Sequence, residues 1–207
     1  MAKASSGFAQ NVFINCPFDN LYKPLFEATV FVVQIAGFTP RCALEASNAG
    51  QVRMDKIMEI IAQCQYGIHD ISRTELGPGR LPRFNMPLEL GLDLGCRRYG
   101  PGRLSQKRLL ILDKSRHRYH RFISDIAGQD IVSHANSPRQ LIRCVRDWIS
   151  TESKLPEIPG GEYIDKRYRA FLRELPDLCK RMKLSLKQLT FGDFSRLVRI
   201  WLEENET

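Results

Sequence analysis

The sequence predicts an α/β fold, a parallel sheet with helices on both faces, followed by a C-terminal helical extension. Three observations carry that expectation. Short apolar, β-favouring runs alternate with amphipathic helical segments through the first 150 residues. Turns bearing Gly and Pro separate them. Past a polar stretch with two prolines and two glycines at residues 151–161, the pattern is helical only. The expected organisation is an α/β domain at residues 1–150 and a helical extension at 162–207.

Each element has a local reason. Val12-Phe13-Ile14 is compact and β-favouring, so residues 11–15 read as a buried strand that Cys16-Pro17-Phe18-Asp19-Asn20 ends in a turn. A helix follows over 22–36, with Pro24 in its first turn and Gly37 as its stop. Residues 38–44 form a second strand with Pro40 near its start. Met54, Ile57, Met58, Ile61 and Ala62 fall at helical spacing and place a helix over 53–65. A third strand at 66–71 leads through a Gly/Pro loop at 74–83 to a helix at 86–96, where Gly91 and Gly95 permit close packing on a sheet. A strand at 108–112, a helix at 119–126, a strand at 130–133 and a helix at 138–150 complete the domain. The extension reads as three short helices, with Ser185-Leu-Lys-Gln188 in capping-box form and an amphipathic helix at 191–203.

Composition excludes several classes. Eleven Phe, six Tyr and two Trp in 207 residues argue against disorder. The longest apolar run, 28–38, is broken by Gln34 and falls short of the roughly 20 residues of a membrane span. Residues 1–10 hold no apolar core of export-signal length, so the expected location is cytoplasmic and the six cysteines are expected as reduced thiols. No C-x-x-C pair and no helical histidine pattern with a nearby carboxylate occurs, so neither metal nor cofactor is expected. The net charge is +8, and residues 97–121 hold nine Lys or Arg against the single acid Asp113. A solvated loop is the favoured reading of that stretch, with nucleic acid as the lesser one. The near balance of 11 basic and 10 acidic residues from position 151 onward makes the extension an element for packing, self-association or a partner protein.

In an open parallel sheet, ligands collect beyond the carboxyl ends of the strands. The segments at 15–19, 41–45, 70–73 and 85–89 converge there. Asp70 and Glu89 are the carboxylates of greatest interest. In the first turn of its helix, Glu89 would be favoured in its ionised form by backbone N–H groups and the dipole. A fixed carboxylate beside a sugar can attack an anomeric carbon or stabilise an oxocarbenium-like transition state. The structural alternatives stay open: Glu89 as the third-residue member of a capping box, Asp70 as a turn cap, Asn85 as an N-cap, and Asn15 and Asp19 as turn formers. Arg41 and Arg53 suit a phosphate or a surface, and Phe18 and Tyr22 a stacked base or the core.

The run Phe84-Asn-Met-Pro-Leu-Glu-Leu-Gly91 resembles the glutamate-bearing helix of nucleoside 2-deoxyribosyltransferases and the N-x-x-F-E-L-G stretch of bacterial TIR-like domains. Val12-Phe-Ile-Asn-Cys-Pro-Phe18 is similar to the first strand and Pro-Phe loop of the transferases and to the V-F-I-S start of TIR domains. The resemblance spans residues 11–150 and implies a flavodoxin-like or TIR-like sheet that acts on the N-glycosidic bond of a nucleoside, nucleotide or NAD-like molecule. It implies Glu89 as nucleophile or electrostatic stabiliser and Asp70 at the base. Asn15, Phe18, Asp19, Tyr22, Arg41, Arg53 and Asn85 would then line the substrate site. It also implies a bacterial anti-phage effector role. Leu81-Pro-Arg-Phe-Asn85 replaces the aspartate- and glycine-rich turn of the transferases, and Cys16 stands where they commonly have glycine. These departures motivate an alternative, a catalytically silent nucleotide-sensing or protein-interaction module.

Overall fold

The computed structural model describes residues 7–45, 52–74 and 83–205. Five strands, β1 (Asn11–Asn15), β2 (Thr39–Cys42), β3 (Tyr66–Asp70), β4 (Arg108–Asp113) and β5 (Ile131–Ser133), form one sheet in the flavodoxin-like order β2-β1-β3-β4-β5. Every pairing is parallel. The register sets Asn15 opposite His69, Asp70 opposite Leu112 and Asp113 opposite Ser133, so polar residues end the three central strands at one edge.

Alternation along the strands decides which helix lies on which face. Val12, Ile14, Ile68, Leu110 and Leu112 pack with α1 (Lys23–Ile35) and α4 (Pro138–Ser153). Phe13 turns the other way onto Ile57, Ile60 and Ile61 of α2 (Arg53–Ala62), and Ile111 onto Met86 and Leu90 of α3 (Asn85–Tyr99). The extension, α5 (Gly161–Arg181) and α6 (Phe191–Glu204), joins the α1 side, where Phe31 meets the rings of Tyr168, Phe171 and Trp201. Gly37 ends α1 at φ +83°, a conformation glycine adopts without cost.

Several boundaries differ from expectation. The helix expected at 119–126 is two 3-10 turns, Arg118–Arg121 and Ser124–Ile126, because Phe122 (φ −144°, ψ −17°) and Ile123 (φ −150°, ψ 63°) between them leave the helical region. The α4 helix runs on through Ser153, taking the first residues of the expected linker, and stops where Lys154 turns left-handed. The extension has two long helices and one 3-10 turn, Leu186–Gln188, rather than three short helices. Its capping box lies at Thr190 and Asp193, not at Ser185 and Gln188, since Ser185 opens only that single turn and its hydroxyl makes no cap bond. The Gly/Pro loop expected at 74–83 lies outside the described residues except at its two ends, as do residues 1–6 of the segment read for an export core. Among the described residues no helix is long and apolar enough to cross a membrane.

Candidate functional site

In this strand order the connections leave β1 and β3 in opposite directions, and the carboxyl ends of two such strands are where ligands collect in open parallel sheets. Asn15 closes β1 there. Its amide Nδ2 donates to Met86 O at 2.8 Å and lies 3.0 Å from His69 Nδ1. The amide nitrogen has only protons to give, so His69 Nδ1 accepts and Nε2 carries the proton toward Asp93 Oδ2 at 3.0 Å. Lys107 Nζ completes the chain, 3.1 Å from Asp93 Oδ1 and hydrogen-bonded to the carbonyls of Ile61 and Cys64. All three ionisable groups are fully buried. Gly67 makes the room, because a Cβ there would stand 2.6 Å from Asp93 Oδ2 and 2.9 Å from His69 Nε2.

This chain of bonds fixes the start of α3 against the sheet. The inward stripe of α3 is Met86, Glu89, Leu90 and Asp93, at helical spacing. Two of those four positions, where apolar residues belong, are acids. Asp93 is paired as described. Glu89 is only 7% exposed, and among the described residues no hydrogen bond or ion pair reaches its carboxyl. Burial pushes that carboxyl up to about 7, and the Arg53 guanidinium at the head of α2 offsets part of the shift. The expectation for Glu89 is corrected here. Phe84 is the N-cap, so Glu89 is the fifth helical residue, outside the first turn and not in a capping box, and desolvation rather than the dipole sets its protonation.

Asp70 faces the opposite side of the sheet, toward α1 and α4. Its Oδ1 accepts from Ser72 N at 2.8 Å, a turn-capping bond of the kind expected as an alternative. Its Oδ2 accepts from Tyr22 Oη at 2.6 Å and lies 3.0 Å from His134 Nε2. His134 Nδ1 accepts from Asn136 N, which leaves the proton on Nε2. Both acids act on the buried Cys16, whose thiol is raised well above its usual value by burial first and then by Asp70, with smaller contributions that include Glu89. One strand further, Arg118 donates to Asp113 Oδ1, Ile71 O and Thr74 Oγ1, tying the segment after β3 to the end of β4. Burial raises the Asp113 carboxyl, and Arg118 offsets part of that rise.

The remaining expected site residues fall into two groups. Asn15 and Tyr22 are buried parts of the networks above. Asp19 forms a turn with Leu21 N and Tyr22 N through Oδ1 and pairs through Oδ2 with Arg83 at 2.7 Å and Arg73 at 3.4 Å. Arg41 is engaged by Glu45 at 2.6 Å and by Gln63. Phe18 is 38% exposed and meets Phe26 edge-on. Arg53 is exposed, and so is Asn85, which is the first residue of α3 and not its cap. Tyr22, Arg73, Lys114 and Asn136 line a cavity of about 370 Å3, and Phe18, Asp19 and Lys23 line another of about 260 Å3. Neither Glu89 nor Asp70 lines either one. Among the described residues no group of three or more His, Cys, Asp or Glu side chains could hold a metal.

Sequence reasoning missed His69, Asp93, Lys107 and His134. Lys107 belongs to the stretch 97–121 that reads as a solvated loop, yet it is fully buried. The available signal was positional: His69 lies inside an apolar strand, and Asp93 follows Glu89 by one helical turn on the same face. Compared with models of known families, with curated proteins and with solved structures, the chain matches none.

Proposed function

We propose that the chain binds a nucleoside, nucleotide or NAD-like molecule at the crevice between β1 and β3 and cleaves or exchanges its N-glycosidic bond, with Glu89 acting at the anomeric carbon. The observation that carries this reading is Glu89 itself, an acid on the sheet-facing stripe of α3, buried and with no described partner. Leaving a carboxyl desolvated costs stability, and such costs concentrate where the group has chemical work. The resemblance of residues 84–91 to the glutamate helix of the deoxyribosyltransferase and TIR-like superfamily supports the same assignment.

The chemistry follows from the environment. The carbon–nitrogen bond breaks, the base departs with the electron pair, and positive charge develops on the sugar ring. The Glu89 carboxylate, disfavoured by burial, gains most from that charge and either bonds to the anomeric carbon or stabilises the cation until water or an acceptor base arrives. Asp70 is 1% exposed with both oxygens engaged, so it is poorly placed to donate a proton to a departing base. That favours a leaving group already cationic, as in an NAD-type substrate. Arg73 and Lys114, around the cavity beyond Tyr22, suit phosphate oxygens. The scheme uses no cofactor. An anti-phage role rests on the resemblance alone.

The test is incubation of the protein with nucleosides, nucleotides and NAD, followed by chromatography for the released base. Wild type is expected to release a base, NAD the favoured substrate, and Glu89→Gln to abolish release without loss of fold. An equally active Glu89→Gln protein overturns the assignment. The internal engagement of Asp70 and Asp19 favours one second reading, a silent nucleotide-sensing or protein-interaction module, which predicts binding with no release from any member of the panel.

A further inference from the structure

We infer that the cleft between the α1–β2 turn and the extension is a binding site for a small phosphorylated molecule, separate from the Glu89 crevice. The cleft measures about 890 Å3, within the range of small-molecule sites. It lies beside Gly37, Phe38 and Thr39, where the chain enters β2, at the edge of the sheet opposite Glu89. The inference therefore stands apart from the proposed glycosidic chemistry.

Three guanidinia line it, Arg167 from α5 and Arg196 and Arg199 from α6, against the single lining carboxylate of Glu203. Arg196 and Arg199 share one stripe of α6 with Gly192 and Ser195, so the helix itself aims them at the cleft. Arg196 reaches Asp193 only at 3.5 Å, on the surface. Arg167 is held rigid: its guanidinium lies 4.8 Å over the Trp201 ring and 5.8 Å from that of Tyr163, and Nη1 donates to Tyr163 Oη. Its Nε is nevertheless buried with no partner among the described residues. Gln34 shows the same imbalance, since Nε2 serves Ser195 while Oε1 is buried and unpartnered. Buried orphan polar atoms at a charged concavity mark a place that a polar occupant completes.

The surplus of cations calls for an occupant of more than one negative charge. Planar guanidinium forks match phosphate oxygens, and the aromatic rings of Phe38, Tyr163 and Phe191 offer an apolar wall for the rest of the molecule. A ligand here would touch α1, β2, α5 and α6 together, so it would fasten the extension to the α/β body.

Calorimetric titration of the full chain with inorganic pyrophosphate and with ADP, at fixed ionic strength, tests this. One saturable site per chain is expected for pyrophosphate. Arg196→Gln and Arg199→Gln, both at exposed positions that leave the fold intact, are each expected to weaken it about tenfold. Arg167→Lys, which keeps the charge but loses the fork, should also weaken it, while Arg53→Gln and Glu89→Gln should not. Absence of binding by both probes overturns the inference, as does pyrophosphate binding that Arg199→Gln leaves intact or Arg53→Gln removes. Binding of oligonucleotides that tightens with length and displaces pyrophosphate would overturn it in favour of a nucleic-acid surface.

Discussion

Tyr22 Oη donates a hydrogen bond to Asp70 Oδ2 at 2.6 Å, joining the head of α1 to the end of β3 inside the protein. Burial and the neighbouring carboxyl both raise the phenol well above its usual value, so it stays a donor. Tyr22→Phe keeps the ring and deletes this bond. A hydrogen bond to a charged group is worth about 1.5–3 kcal/mol, and the variant should lose that much in urea denaturation. If Asp70 only shapes the crevice, base release should survive the change, with the loss confined to stability.

Glu89 makes stability depend on pH. Its folded value of about 7 lies above the usual 4.5, so the native state holds the proton more tightly than the unfolded chain does. The stability this gives is complete below about pH 4.5 and is lost as pH rises toward and through 7. A shift of that size corresponds to about 3 kcal/mol as an order of magnitude. Denaturant midpoints at pH 5 and pH 8 should therefore differ more for wild type than for Glu89→Gln, which has no charge to lose or gain. Parallel pH dependence in the two proteins would contradict the burial of that carboxyl.

Arg53 tunes the same group. Among the described residues it is the charge that opposes the effect of burial on Glu89, and it lies at an exposed position in the first turn of α2, where a substitution leaves the core alone. If ionised Glu89 is the working form, kcat/KM rises with pH through a midpoint near 7. Arg53→Gln should move that midpoint upward, while activity at high pH stays near that of wild type unless Arg53 also binds a phosphate, which would appear as a raised KM. An unmoved midpoint would separate Arg53 from the acid.

The parallel sheet was legible because β1, β3 and β4 are short β-favouring runs with strong apolar character, and a strand buried on both faces must read that way. That Asn15, Asp70 and the head of α3 lie at the carboxyl ends of the strands followed from a parallel sheet alone, but the face Asp70 takes, away from α3, did not. The charged networks were not legible. Lys107 reads as one cation among nine in its stretch, and only the register that brings Gln65 O to Arg108 N pulls it beneath the sheet edge beside Asp93. His134 sits in a loop whose neighbours gave no sign that it would reach a residue 64 positions earlier. The 3-10 turns at 118–126 were missed because apolar spacing alone does not reveal a backbone break between two turns.

Lys107 supports the network that places α3. Its ammonium neutralises Asp93 and bonds the carbonyls of Ile61, in the last turn of α2, and Cys64, just past it. Lys107→Met would leave the Asp93 carboxyl buried beside His69 alone, and breaking one side of a buried pair costs about 3–5 kcal/mol. Adding Asp93→Leu to that variant removes the stranded charge and should recover a large part of the loss, measured by the same denaturation. A double variant no better than the single one would mean that Lys107 acts through these two carbonyls rather than through Asp93.

The extension is bound into the core by the composition of α1. Residues Leu25, Phe26, Ala28, Thr29, Val30, Phe31, Val32 and Val33 are all buried, so the helix is covered around most of its circumference, with Glu27 on the remaining side. A helix of that kind needs cover on more than one side, and the sheet supplies only one. The other side is closed by Phe171 at 5.5 Å and Trp201 at 6.0 Å from the Phe31 ring, with Tyr168 donating to Pro24 O. A chain cut after residue 160 would expose this surface and is expected to aggregate or to bind a hydrophobic dye such as ANS strongly. In the full chain, Trp201→Ala should cost about 3–5 kcal/mol by leaving a cavity against Phe31 and Phe171. A cut chain that runs as a monomer in gel filtration and leaves the dye dark would show that α1 can be covered without α5 and α6.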